Sequence, residues 1–598
     1  MLLETLRKYW GYDSFLPLQR EAMTSVMEAR DSLVVLPTGG GKSLCYQAPA
    51  VELPGTAVVV SPLISLMKDQ TDALRECGVP AERFDSSMTR QHQNEVLDRL
   101  HDGELKLLYI SPERLMSQRF AHVLHTADVS FIAIDEVHCV SMWGHDFRPE
   151  YRALGRLKDV FPDITLHAYT ATATRQVRED IVETLRLESP EVLVGSFDRP
   201  NLIYRARRRE NELRQVRKVI DRHPHESGII YRIRRKDVDE MFWDLEAEGY
   251  SVLPYHAGME PDERKRNQNA FSRGEVDIIV ATVAFGMGID KPDVRYVIHC
   301  GMPKTLEHYQ QQSGRAGRDG LEAECWIFYS GEDYHTWKFI LSADDSDSKA
   351  ERVHMEKLSD MYGFCCDAAC RHRELVEYFG QDYDKDNCGA CDFCLGEVDC
   401  LDDSLETAQK ILSCVARLDQ RYGATYTAKV LTGSSAERIV QNQHDDLSTW
   451  GLLEEYDTKQ VCNWIEQLVS QQCLSRTRRF KVLKLTRRGA EVLRGNQRPR
   501  LSKAVGKGIK TAGIQEEMWE DVDRELFEHL RELRKDLADE RGVPAFVVFS
   551  DATLRGICRH RPRNKSEFRE VKGVGEVKCS RYAKPFLEAI QEFEQEIV

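Results

Sequence analysis

Lys42, Asp135, Glu136, Arg315 and Arg318 are the residues from which hydrolysis of a nucleoside triphosphate can be assembled. Lys42 and Ser43 close the run LPTGGGKS, which follows the apolar stretch SLVVL. Glycines let backbone N–H groups turn towards phosphate oxygens, and the start of a helix favours negative charge. In such a loop Thr38, Gly39, Gly40 and Gly41 form the cradle, Lys42 reaches the β- and γ-phosphates, and Ser43 ligates Mg2+. The strict spacing G-x-x-x-x-G-K-[ST] fails here, because it needs glycine where the chain has Leu36. A glycine turn before a helix is the bland alternative.

In FIAIDEVH a strand ends in two acids, at the sheet edge where open α/β folds bind ligands. Asp135 is suited to hold Mg2+ as a hard carboxylate, and Glu136 to position and deprotonate an attacking water. SGRAGRDG sets Arg315 and Arg318 three apart among glycines. An arginine aimed at a transferring γ-phosphate contributes roughly 10³–10⁵ in rate; otherwise the pair is a solvated loop. The stretch CVSMWGHDFRPEY places Trp143, His145, Phe147 and Arg148 directly after the acidic box. An aromatic side chain there can stack on a nucleic-acid base, worth about 1–3 kcal/mol, whatever the base. Gly, His, Asp and Arg among these aromatics argue against a core strand. Cys370, Cys388, Cys391 and Cys394 follow C-x17-C-x2-C-x2-C. Four thiolates suit a closed structural zinc site or an iron–sulfur cluster, and spacing leaves both open.

These residues need elements to hold them. To about residue 330 the chain alternates helical stretches with apolar runs: SLVVL, TAVVVS, LKLLYIS, FIAIDE and LHAYTAT, then SGIIYR, SVLPYH, VDIIVAT, VRYVIH and CWIFYS. Runs this continuous are strands buried on both faces, so parallel sheets in α/β units are expected. The motifs fall in two blocks, which predicts two such lobes, with SFDRPNLIYRARRRE (Ser196–Glu210) as connector. A cysteine-rich stretch, a helical region ending in a basic segment, a linker and a helical tail follow. The 598 residues carry a formal charge of −15, which alone speaks against nucleic acid. Binding needs only a local basic surface, however. RTRRFKVLKLTRR (Arg476–Arg488) has seven Lys or Arg and no acid, and RPRLSKAVGKGIK (Arg498–Lys510) has five and no acid. Seventeen scattered cysteines fit a reducing compartment better than a disulfide framework. No apolar run of about 18 residues predicts a membrane span, and the start lacks the layout of a signal peptide.

In order along the chain, the motifs resemble those of a superfamily-two helicase, specifically the RecQ family of DNA helicases. GYDSFLPLQ resembles the adenine-reading motif, with Tyr12 and Gln19 at the base. LPTGGGKS is that family's phosphate loop, which needs no glycine at position 36. VSPLISLMKDQ, DEVH, YTATAT, VATVAFGMGIDKPDVRYVIH and QQSGRAGRDG continue the series. The resemblance implies two RecA-like lobes with parallel sheets (1–197 and 198–342), a helical zinc-binding subdomain (343–400), a winged-helix domain (401–497), a basic linker (498–515) and a small all-α HRDC domain (516–598). It implies zinc at the four cysteines, and an aromatic loop that links DNA contact to hydrolysis. The segment near Arg476–Arg488 becomes the wing. VKGVGEVK resembles a helix–hairpin–helix turn whose amides meet a phosphate, with Lys578, Arg581, Lys584 and RHRPRNK near it; contact with protein is the other option. The implied activity is ATP-dependent 3′–5′ unwinding of duplex or branched DNA in recombination, repair and fork processing. The alternative is a DNA-stimulated translocase that separates no strands. ATP, Mg2+ and structural zinc are the implied cofactors. DNA with a 3′ single-stranded tail, forks and junctions are the implied substrates. A single-strand-binding protein and other repair proteins are implied partners, and the chain is expected to be monomeric. The resemblance to bacterial members places it in the cytoplasm at the nucleoid. Two positions depart from the family: Leu16 stands where an arginine normally sits beside adenine, and Gln312 where glutamate is common.

Overall fold

The computed structural model describes residues 1–144, 146–286, 291–344, 348–398, 401–477, 482–502 and 521–596. The first lobe is built on strands β1 Ser32–Val35, β2 Thr56–Val60, β3 Ala81–Phe84, β4 Leu107–Ile110, β5 Val129–Ile134, β6 Leu166–Thr170 and β7 Glu191–Val194. They form one sheet in the order β3-β4-β2-β5-β6-β1-β7, every pairing parallel. β1, β2, β4 and β6 are buried along their whole length, as helices on each side of the sheet require. The order matters for chemistry. β5, β6 and β1 are neighbours, so the acidic box, the threonine motif and the phosphate loop leave the same sheet edge together.

The second lobe has β8 Leu202–Arg208, β9 Ser227–Arg232, β10 Val252–Tyr255, β11 Ile278–Ala281, β12 Val294–Cys300 and β13 Ala323–Tyr329. They run parallel in the order β10-β11-β9-β12-β13-β8. Helix Leu306–Ser313 links the adjacent β12 and β13 and delivers Arg315 and Arg318. The expected connector is corrected here: from Leu202 onward it is the edge strand β8. Arg205 and Arg207 of that strand are not solvent charges, whereas Arg208 is exposed. Arg205 is fully buried and donates to both carboxylate oxygens of Glu397, at 2.9–3.1 Å, and to Glu324 at 3.0 Å.

Beyond the lobes, helices Ser348–Cys366 and Arg371–Tyr378 flank Cys370 and lead to Cys388, Cys391 and Cys394. The following domain packs helices Ser404–Arg417, Ala424–Leu431 and Thr458–Ser470 against an antiparallel hairpin, β14 Leu474–Arg476 and β15 Leu483–Leu485. The expected wing is shorter than its basic segment, because Arg487 already opens helix Arg487–Leu493. Residues 478–481, between the strands, lie outside the described residues, as do Lys503–Lys510 of the second basic run and the rest of the linker. Leu501 and Ser502, expected in that linker, close the winged-helix core instead. Leu501 is buried, and Ser502 accepts from Trp464 Nε1 at 2.8 Å. Among the described residues, no helix is long and apolar enough to cross a membrane.

The C-terminal domain packs helices Arg524–Arg541, Asp551–His560 and Glu576–Glu596 around its own core. It docks on both lobes. Glu76 of the first lobe accepts from Arg541 and Arg581 at 2.5 Å each and from the Tyr582 hydroxyl at 2.9 Å. Asp319 of the second lobe faces Arg555 at 3.4 Å. The VKGVGEVK turn therefore faces protein. Gly573 N–H donates to the Gly11 carbonyl at 3.0 Å. Gly11 has φ +72°, and a Cβ on it would lie 2.5 Å from the Val574 nitrogen, so only glycine allows this approach. The expected phosphate contact of this turn is thus taken by the chain's own backbone, and Arg581 is committed to Glu76.

Candidate ATP, DNA and zinc sites

A cleft of about 390 Å3 lies between the lobes. Thr38, Gly39, Gly41, Lys42, Ser43, Asp135, Glu136, Arg315, Arg318 and Tyr12 all line it, so residues far apart in sequence meet there. Gly39 and Gly41 hold φ +86° and +71°, and Gly41 caps helix Lys42–Glu52. Those positive φ values turn the loop so that its amides precede the helix start, an anion site. The second lobe closes directly on this loop: a Cβ on Gly314 would lie 3.1 Å from Thr38 Cβ. Lys42 Nζ donates to the Leu36 carbonyl at 3.3 Å.

Asp135 is buried, and burial together with neighbouring Glu136 pushes its pKa up. A divalent cation supplies the missing compensation, so Asp135 with Ser43 fits Mg2+. Glu136 behaves oppositely. Burial opposes its charge, but the hydrogen bond and positive charge of His138, with Lys42 and Arg315, hold its pKa down. His138 Nδ1 stands 3.3 Å from Glu136 and 2.9 Å from the Thr170 hydroxyl, tying the acid to the threonine motif. An ionised carboxylate at this place is able to accept a proton from water. Glu136 itself sits at φ +48°, a left-handed conformation that is costly for a side chain with a Cβ.

Two expected nucleotide contacts are placed elsewhere. Gln19 is buried, its amide oxygen accepting from Leu16 N–H at 2.8 Å and its nitrogen donating to the Gly41 carbonyl at 3.2 Å. It braces the phosphate loop from beneath and does not line the cleft. Gly40 does not line it either; a Cβ there would press on the Pro37 carbonyl at 2.9 Å. Leu16 is exposed. Gln312 is buried and pairs with His299 at 2.9 Å, so its amide faces a histidine that burial pushes down to about 4 and so keeps neutral. Arg199 was missed. Its guanidinium donates to the Thr38 carbonyl at 2.5 Å and to the Gly317 carbonyl at 3.0 Å, joining the phosphate loop to the arginine loop. Its place in an arginine-rich connector hid it.

The aromatic loop is anchored more than its sequence suggests. Phe147 is exposed, but Trp143 is half-buried against the core. Arg148 pairs with Asp146 at 3.0 Å and donates to the Pro62 carbonyl at 3.3 Å, which ties the loop to the VSPLISLMKDQ motif. His145 lies outside the described residues.

The four expected metal-binding cysteines converge: the Sγ atoms of Cys370, Cys388, Cys391 and Cys394 all lie within 4.8 Å of one another. Tetrahedral zinc with Zn–S near 2.3 Å sets its sulfurs about 3.8 Å apart. A multi-iron cluster holds its thiolates further apart, so the closure decides for a single ion. Backbone N–H groups of Ala390 and Cys394 donate to the Cys388 and Cys391 sulfurs at 3.3 and 3.4 Å, favouring thiolates. Cys365 and Cys366 are buried in the preceding helix and outside this set.

Five family models match the chain in sequence order: DEAD/DEAH box helicase over residues 16–181, Helicase conserved C-terminal domain over 211–320, RecQ zinc-binding over 331–395, RQC domain over 401–509 and HRDC domain over 523–590. An ATP-dependent DNA helicase RecQ of Pasteurella multocida is 40% identical over 99% of this chain and 93% of its own length. The protein of the same name from Bacillus subtilis is 40% identical, covering 98% of each chain. That from Haemophilus influenzae is 39% identical over 99% of this chain and 96% of its own. Sharing this much along its whole length, with the nucleotide cleft and the four-cysteine site in place, the chain belongs to the RecQ family of ATP-dependent DNA helicases.

Proposed function

We propose that the chain is an ATP-driven motor that moves 3′ to 5′ along one DNA strand and unwinds duplex or branched DNA during recombination, repair and replication-fork processing. The observation that carries it is the cleft that both lobes line, with Lys42, Asp135 and Glu136 on one lobe and Arg315 and Arg318 on the other. ATP bound between them is gripped by both lobes. Ser43 and Asp135 would hold Mg2+, which would supply positive charge to the phosphate oxygens. Glu136 orients water and takes its proton, while Arg318 stabilises charge on the γ-phosphate. Loss of that phosphate removes the arginines' partner and reopens the cleft. Opening a duplex costs about 1.4 kcal/mol per base-pair step, which is why each advance needs fuel.

On the strand side, Trp143, His145, Phe147 and Arg148 meet bases and backbone, so sequence preference is weak. The winged-helix domain meets duplex at the fork. One chain supplies both halves of the site, so a monomer suffices. Action in the cytoplasm at the nucleoid, and partnership with a single-strand-binding protein and other repair proteins, rest on the family alone. The test is ATP hydrolysis with and without single-stranded DNA, beside Lys42→Ala. Removing an interaction made to the transferring phosphate is expected to lower hydrolysis by about 10²-fold or more. Hydrolysis unchanged by DNA, or unchanged in Lys42→Ala, contradicts the motor.

A further inference from the structure

Lys357 belongs to helix Ser348–Cys366, which precedes the four-cysteine site and lies outside the nucleotide motifs. Its Nζ donates to the Trp143 carbonyl at 2.8 Å and to the Glu307 carboxylate at 2.5 Å. Trp143 is in the aromatic loop of the first lobe. Glu307 is in the first turn of Leu306–Ser313, the helix that runs straight into Arg315 and Arg318. Glu307 is only 2% exposed, and Lys357 offsets the burial of its charge. One ammonium group thus joins the strand-contacting loop, the arginine helix and the zinc subdomain.

The loop's other end is equally fixed. It leaves the acidic box at His138, which contacts both Glu136 and Thr170. A continuous path therefore runs from Glu136 through His138 and the loop to Lys357, Glu307 and the arginines. Because Lys357 holds a backbone carbonyl, it reports where the loop is and not which side chain occupies position 143. A strand that shifts the loop either carries Lys357 and Glu307 with it or leaves a buried carboxylate without its counter-charge. Either outcome alters the arginine helix.

We propose that Lys357 is a positioning residue that transmits strand contact at the aromatic loop to Arg315 and Arg318. The proposal rests on the motor reading above. The test uses the full-length, zinc-loaded protein, comparing wild type with Lys357→Ala, Lys357→Arg and Glu307→Gln. Four quantities are read: hydrolysis without DNA, hydrolysis with saturating single-stranded oligonucleotide, oligonucleotide affinity, and melting temperature with zinc content. In Lys357→Ala, DNA-stimulated kcat is expected to fall about tenfold, within the usual span of coupling between sites. Hydrolysis without DNA should stay within about twofold and DNA affinity within about threefold, since only the link is cut. Lys357→Arg should recover part of the stimulation, and Glu307→Gln should lose it in the same sense. Stimulation equal to wild type overturns the proposal. So does a loss of DNA affinity that matches the loss of stimulation, or a loss of DNA-free hydrolysis, since Lys357 would then hold a surface or a fold. A wild type that DNA does not stimulate sinks the motor reading instead.

Discussion

Arg318→Ala is expected to leave ATP affinity within about threefold and to lower DNA-stimulated hydrolysis by about 10³-fold or more, the range for an arginine that meets transition-state charge. The asymmetry follows from geometry. Arg318 lines the cleft opposite the phosphate loop, and a Cβ on Gly39 would lie 3.6 Å from the Arg318 carbonyl, so the two loops already touch. Arg315 is more deeply buried, beside Gly286, where a Cβ would lie 2.8 Å from its guanidinium. Removing Arg315 is therefore expected to cost stability as well as rate. Titration with a non-hydrolysable ATP analogue, paired with single-turnover hydrolysis, separates binding from chemistry. A fall of less than about tenfold in Arg318→Ala would move the role to Arg315.

Stripping zinc, or Cys391→Ala, is expected to have the largest effect on stability. Structural zinc binding contributes about 10–16 kcal/mol in small domains at neutral pH, and that free energy is folding free energy. Here it also holds the second lobe. Asp392, next to Cys391, accepts from Ala206 N–H at 2.9 Å and Arg371 at 3.0 Å, and Glu397 receives Arg205 and Arg207. If residues around Cys391 lose their order, buried Arg205 loses the Glu397 carboxylate. Breaking one partner from a buried charge pair costs about 3–5 kcal/mol. Melting temperature against zinc content should show a drop in thermal stability as zinc leaves, with lost hydrolysis as a consequence of unfolding. An apoprotein that melts where the holoprotein does would contradict this.

Much of the nucleotide site was legible in sequence because its chemistry fixes both residue types and order. A glycine loop with Lys42 must follow a strand, and paired acids must end one. Parallel sheets were legible from runs such as TAVVV and VRYVIH, which only a strand covered on both faces accommodates. Other elements were not. AERF and EVLV form β3 and β7, but both are edge strands whose polar residues break the apolar run. β8 was hidden because SFDRPNLIYRARRRE reads as a connector between the two lobes. Its burial depends on Glu397, 192 residues beyond Arg205, and no local pattern carries that. The VKGVGEVK turn shows the same limit: glycines that permit close approach to a phosphate equally permit close approach to Tyr9 and Gly11. Gln19 kept its place under the phosphate loop while its amide was spent inside the fold.

The most direct measurement is strand separation by the full-length protein with ATP and Mg2+, on matched duplexes bearing either a 3′ or a 5′ single-stranded tail. Separation only of the 3′-tailed duplex, and only with Lys42 intact, is the predicted result. DNA-stimulated hydrolysis with neither duplex separated would contradict the account and leave a translocase that opens no strands.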